Sequence, residues 1–86
     1  MDEKHFVYII LTTTNKLYCG YSTDVERRFS EHLTGKKGAK FTKINKPVKI
    51  VYKKCYKTKS EALKEEYRIK HLTKKEKEEL IYASNN

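Results

Sequence analysis

Cysteines, long apolar runs and, over one long stretch, acidic side chains are what this sequence has least of. The two cysteines, Cys19 and Cys55, each sit within a strand-like run and match no metal-ligand spacing. That excludes a disulfide framework and a zinc site, and leaves free thiols suited to a reducing compartment. No apolar run approaches the ~18 residues needed to span a membrane, and the opening MDEKHF lacks the charged-then-apolar pattern of a signal peptide. A soluble, intracellular, cytoplasmic protein is expected. Internal repeats and low-complexity segments are absent as well. From Lys36 to Lys59 there are ten lysines and no aspartate or glutamate at all.

What the chain has in excess is positive charge: 20 Lys+Arg against 11 Asp+Glu, a formal charge of +9 and a pI near 9.6. Such an imbalance concerns partners rather than fold, and a phosphate-rich polymer is the first to consider. At 86 residues one small domain is expected, with a core over about residues 6–82 that is thin but sufficient without disulfides or metals, and a frayed tail at 84–86.

FVYIIL at 6–11 is aromatic and β-branched enough for a strand, and LYCGY at 17–21 reads as its hairpin partner. The loop length decides which side chains share a face. A three-residue loop, Thr13 to Asn15, pairs residues whose numbers sum to an even value. It sets Val7, Ile9 and Leu11 with Leu17, Cys19 and Tyr21 on one face. Phe6, Tyr8 and Ile10 then share the other with Tyr18 and Gly20, the glycine leaving room beside Tyr8. Thr23 with Glu26 forms a capping box that starts a helix ended by Gly35, with Val25, Phe29, His32 and Leu33 as its apolar face. Arg28 flanks that face one turn before His32, and Arg27 is expected to pair with Glu31. Pro47 opens a third strand, PVKIVYKKCY, where Val48, Ile50 and Tyr52 alternate with lysines to give one apolar and one basic face. Thr58 with Glu61 and Thr73 with Glu76 start two further helices, at about 59–72 and 74–83. The first has a buried stripe of Ala62, Leu63 and Ile69 with Glu66 in its middle and Glu65 outside it; the second buries Leu80 and Ile81.

Each singled-out residue has a plain structural explanation. Strand tyrosines usually pack, a helix arginine is usually at the surface, and a histidine on a half-apolar face is more often a satisfied core residue than a catalyst. Glu66 can be the partner of a lysine such as Lys70, and the lysine run can serve solubility. Taken together, however, Tyr8, Tyr18, Arg28, His32 and Glu66 are the parts that phosphodiester hydrolysis needs. A single divalent ion, Mg²⁺ or Mn²⁺, held by one carboxylate and water polarises the phosphate. An arginine fork meets the developing oxyanion charge. A tyrosine whose pKa is lowered from about 10 by nearby cations takes the proton of the attacking water, and a histidine shuttles or positions. Lys36, Lys37, Lys40, Lys43 and Lys46 are the candidate nucleic-acid contacts.

FVY at 6–8, YCG at 18–20 and the following TDVERRFSEH resemble the GIY-YIG nuclease domain, as in the UvrC excision nuclease, homing endonucleases and some restriction enzymes. KGAKFTK, KPVKIVY and SEALKEEYRIKHLTKKEKEELI are most similar to its small stand-alone bacterial subgroup. The resemblance covers about residues 6–82. It implies an α+β fold, a three-stranded antiparallel sheet packed with three helices in the order ββαβαα, the order the residues themselves suggest. It also implies a metal-dependent endonuclease acting on DNA, on structured, damaged or single-stranded forms in repair or recombination. By the same resemblance Tyr8 is or assists the general base, Tyr18 supports it, Arg28 and His32 complete the centre, and Glu66 binds the metal. Phe6 stands where the family's first motif has glycine, and Cys19 where its second has isoleucine. The stand-alone form implies a monomer whose affinity comes from its own lysines or from a partner protein. The alternative is a non-catalytic nucleic-acid-binding module of the same fold.

Overall fold

The computed structural model of the chain describes residues 4–35 and 44–85. Lys36, Lys37, Lys40 and Lys43, four of the candidate nucleic-acid contacts, lie outside the described residues; Lys46 is described and exposed. Two strands, β1 (His5–Thr12) and β2 (Leu17–Ser22), form an antiparallel hairpin. Its loop closes where the Thr12 N–H donates to the Lys16 carbonyl at 3.0 Å, and Asn15 takes a left-handed φ of 60°, which asparagine tolerates better than most residues. Pairing runs from Phe6 with Ser22 to Leu11 with Leu17, the even-sum register expected of a three-residue loop. Tyr8 and Tyr18 therefore share a face.

The third strand, β3 (Pro47–Tyr56), pairs antiparallel with the other edge of β1, giving the order β2-β1-β3. The expected alternation along it does not hold. A register shift leaves Val51 as an extra residue, so Tyr52 lies opposite Ile9 while Ile50 lies opposite Ile10, on opposite faces of the sheet. A second shift falls at Val48, which is exposed. Lysines consequently occupy both faces, with Lys53 opposite Tyr8 and Lys54 opposite Val7.

Helices cover both sides of this sheet. α1 (Val25–Thr34) packs on Tyr8 and Ile10 through Val25, with Phe6, Tyr18, Phe29 and Ile50 around them. On the other side, α2 (Lys59–Lys70) sets Ala62 and Ile69 on Val7, Ile9, Cys19 and Tyr52. There α3 (Lys74–Asn85) adds Leu80 and Ile81, which are half-buried rather than buried. Because β1 is covered from both sides, its sequence reads as a continuous apolar run. Leu33 and Leu63, expected in the core, are exposed. At 100° per residue each lies ~80–100° around its helix from the buried Val25 or Ala62, beyond the strip that touches the sheet.

Of the three expected capping boxes one forms in full, at Thr73, and one in half, at Thr58, where the Glu61 carboxylate accepts from the Thr58 hydroxyl instead of its backbone N–H. Thr58 accepts the Glu61 N–H at 3.1 Å, and Thr73 and Glu76 exchange side-chain and backbone bonds at 3.2 and 2.9 Å. In α1 the cap is Asp24 instead of Thr23: its carboxylate accepts the Arg27 N–H at 3.0 Å, and the Ser22 hydroxyl, accepting the Asp24 N–H at 2.9 Å, holds that residue extended. Gly35 ends α1 with a φ of 78°, as expected. α3 continues through Asn85, past the expected fraying point, where the Asn85 amide donates to the Val51 carbonyl at 3.5 Å. No helix among the described residues is long and apolar enough to cross a membrane.

Ile69 is fully buried at the junction of α2 with the sheet. Ile69→Ala is expected to cost about 2–5 kcal/mol, and Thr73→Ala, a lost cap, about 1 kcal/mol. Urea unfolding checks both: the midpoint should fall in that order with the slope unchanged.

Candidate active site

Tyr8 stands at the middle of the central strand, opposite Gly20 on β2, with Tyr18 two pairs further along, opposite Ile10 and on the same face. Its ring lies across the glycine. A Cβ at Gly20 would come within 2.5 Å of the Tyr8 hydroxyl and 2.6 Å of the ring carbon that carries it. The space is an absolute requirement of this rotamer, and it carries the phenol toward α1. There His32 Nε2 meets the hydroxyl at 3.0 Å, with both residues buried. Tyr18 closes the group, its ring edge-on to the His32 imidazole at 5.1 Å between centroids and 6.4 Å from the Tyr8 ring.

Arg28, one turn before His32, hydrogen-bonds the Tyr8 hydroxyl and pairs with Glu31 Oε1 at 3.1 Å. Glu31 thus belongs to Arg28, not to Arg27. The i,i+3 spacing was visible in the sequence, but which arginine turns inward depends on how α1 docks. A guanidinium only donates, so the Tyr8 oxygen accepts from Arg28. With the Tyr8 O–H directed to His32 Nε2, the imidazole is the neutral tautomer that carries its proton on Nδ1. Lys53 is a neighbour that the sequence did not reveal. The β3 register shift puts it on the Tyr8 face, where it bonds Glu26 of α1 at 3.0 Å and stands 5.6 Å over the Phe6 ring.

The electrostatics differ from expectation in one respect. Burial raises the Tyr8 phenol well above its usual range; Tyr18 and Glu66 add to this, and Arg28 opposes it. The phenol is held protonated, because its burial outweighs the Arg28 charge. Burial, with help from the Arg28 charge, lowers His32 to about 4 and keeps it neutral. Burial works against the charge of Arg28, but its bonds to Glu31 and Tyr8 raise it further and hold it cationic.

Glu66 comes from α2, on the opposite side of the sheet from α1. Its side chain is 18 % exposed, and Oε2 lies 3.4 Å from Lys70 Nζ, so the lysine partner foreseen as its plain explanation is present. Its negative charge nonetheless acts on the Tyr8 phenol. Glu65, expected outside the stripe, is half-buried too and is paired with Arg68. The neighbouring Cys19 thiol, pushed up to about 12 mainly by burial and then by the Glu66 charge, stays protonated and inert. Among the described residues no group of three or more His, Cys, Asp or Glu side chains can cage a metal. A lone carboxylate fits a cation that keeps most of its water, as Mg²⁺ does, and does not fit zinc.

With this geometry the chain can be set beside known proteins. The GIY-YIG catalytic domain pattern matches residues 4–79. A UPF0213 protein of Staphylococcus epidermidis is 52 % identical over 79 residues, covering 92 % of this chain and 95 % of that one. A UPF0213 protein of Staphylococcus saprophyticus is 47 % identical over the same shares. The solution NMR structure of a UPF0213 protein from Bacillus halodurans is similar with a TM-score of 0.61 and 40 % identity, over 93 % of this chain and 84 % of that one.

Gly20→Ala is expected to push the phenol off His32 and to destabilise the fold by about 1–3 kcal/mol; thermal unfolding measures the cost, and the His32 imidazole NMR shifts report the broken bond. The second expectation concerns acid. Unfolded, His32 takes up its proton near 6.5, whereas folded it does so only near 4. Between those values the unfolded chain binds more protons, so this contribution is complete above about 6.5 and is lost as pH falls toward 4. In His32→Gln, urea midpoints followed across that window should show a shallower loss than the wild type.

Proposed function

The chain belongs to the GIY-YIG catalytic domain family, a nuclease superfamily, and from that membership and the site just described we propose a metal-dependent endonuclease that hydrolyses phosphodiester bonds in DNA. The observation that carries this reading is the Tyr8 hydroxyl bonded at once to His32 Nε2, at 3.0 Å, and to Arg28. A phenol held between a neutral base and a fixed cation can pass a proton along. The proton of the attacking water goes to the Tyr8 oxygen as the Tyr8 proton goes to His32 Nε2. The water oxygen bonds phosphorus, and the bond to the departing sugar oxygen breaks, that oxygen taking a proton from solvent. This relay suits a tyrosine whose burial forbids a resting phenolate. A phosphate entering beside His32 brings negative charge, which raises the imidazole's affinity for the proton it must accept.

Arg28, steadied by Glu31, faces the charge that builds on the phosphoryl oxygens. Tyr18 packs His32 and helps to orient the water. Glu66 is the residue that would hold a hydrated Mg²⁺ or Mn²⁺, which when bound supplies Lewis-acid polarisation of the phosphate. The charge of +9 supports a nucleic-acid substrate held by Lys36, Lys37, Lys40, Lys43 and Lys46. The proposal extends to a monomer that acts on structured, damaged or single-stranded DNA in repair or recombination, with a partner protein supplying specificity. The free thiols of Cys19 and Cys55 suit the cytoplasm.

The Glu66–Lys70 pair favours a second reading, in which the carboxylate is structural and the domain binds nucleic acid without cutting it. One assay separates the two: flap, bubble and single-stranded substrates incubated with Mg²⁺ or Mn²⁺. Tyr8→Phe, which lacks the relaying oxygen, is expected to lower cleavage by about 10²–10⁴-fold, and Glu66→Gln should abolish it. If wild type and Glu66→Gln give the same background while binding still weakens with salt at about −0.9 per phosphate contact, the second reading replaces the first.

A further inference from the structure

The outer side of α2 takes no part in the mechanism above, yet it is shaped for a ligand. Lys59, Ser60, Leu63, Lys64 and Tyr67 line an open groove of about 590 Å³ there. Leu63 is 40 % and Tyr67 67 % exposed. These are large apolar side chains on a helix whose buried side already has Ala62 and Ile69. Two lysines line the groove and no carboxylate does. The Tyr67 ring is also held in place. It lies 4.2 Å from the His71 imidazole between centroids, and His71 Nδ1 donates to the Tyr67 carbonyl at 2.7 Å.

The groove is connected to the site. Lys59, Leu63 and Glu66, at i, i+4 and i+7, form one stripe along the helix, so the groove begins one turn from the Glu66 carboxylate. At its other end Lys59 Nζ stands 5.8 Å over the ring of Tyr21, the residue after Gly20 on β2.

Cationic side chains beside a fixed, solvent-facing aromatic ring are complementary to one class of ligand. Phosphates satisfy the lysines, and an unpaired base lies flat on the ring. Within a duplex the base faces are already stacked, so the ring favours a single strand. We infer that the α2 groove binds a single-stranded nucleic-acid segment flanking the scissile bond, one base stacking on Tyr67 and its phosphates lying against Lys59 and Lys64. This rests on the nuclease reading for its substrate and adds to it where the unpaired strand runs.

The test is binding without metal or cleavage. A labelled oligothymidylate and a duplex of equal length are titrated by fluorescence anisotropy in EDTA against wild type, Tyr67→Ala, Tyr67→Phe and Lys64→Gln. Tyr67→Ala should weaken single-strand binding about fivefold or more, Tyr67→Phe should retain it, and duplex affinity should not change. Lys64→Gln should lower the single-strand salt slope by about 0.7. An unchanged single-strand affinity in Tyr67→Ala, an equal loss on both ligands, or no single-strand binding by wild type would overturn the inference. Because no catalysis enters the measurement, these outcomes are independent of whether the protein cuts: failed cleavage with Tyr67-dependent binding removes the nuclease reading and leaves the groove.

Discussion

The hydrogen bond between the Tyr8 hydroxyl and His32 Nε2 is the contact on which the arrangement of this protein turns. A phenol at the centre of the middle strand gains from burying its ring but loses about 1–3 kcal/mol if its oxygen is left without a partner. The partner comes from α1, so the helix must dock with one particular rotation. That rotation brings Arg28 onto the same oxygen and sends Leu33 into solvent. It in turn depends on the ends of α1, set by the Asp24 cap and the left-handed Gly35. On the sheet side the contact depends on the missing side chain of Gly20, since any Cβ there would occupy the space of the hydroxyl.

Burial then sets the chemistry. Tyr8 and His32 are both held neutral, and the charges that act on them include Arg28 with its Glu31 and, from the far side of the sheet, Glu66. A neutral pair beside a fixed cation is receptive to an anion, because an arriving phosphate meets a donor fork without displacing a carboxylate from the phenol. Lys53, tied to Glu26, joins β3 to α1 over the same face and adds to the positive surroundings. The sheet is only three strands wide, so groups from both helical layers can influence one phenol.

Much of this was legible in the chain. The parity of a three-residue loop placed Tyr8, Tyr18 and Gly20 on one face, and helical spacing placed Arg28 and His32 one turn apart. Thr58 and Thr73 announced their helices through local hydrogen bonds. What escaped reading was whatever two distant segments decide together. The shift at Val51 sends Ile50 and Tyr52 to opposite faces and brings Lys53 beside Tyr8, and it arises from the pairing of β3 with β1. Asp24 replaces Thr23 as the cap because Ser22, at the end of β2, holds its backbone.

By itself the sequence determined the hairpin register, the order of the elements, the glycine clearance and which side chains could meet, because these follow from contacts within a few residues and from the periods of strand and helix. Only the tertiary structure decided that Arg28 claims Glu31, that Glu66 carries Lys70 as a partner while its charge is felt by Tyr8, and that the phenol is held protonated instead of poised as an anion. A pKa and an ion pair depend on how much water is left around a group, and that is set by every layer packed over it, not by its neighbours along the chain.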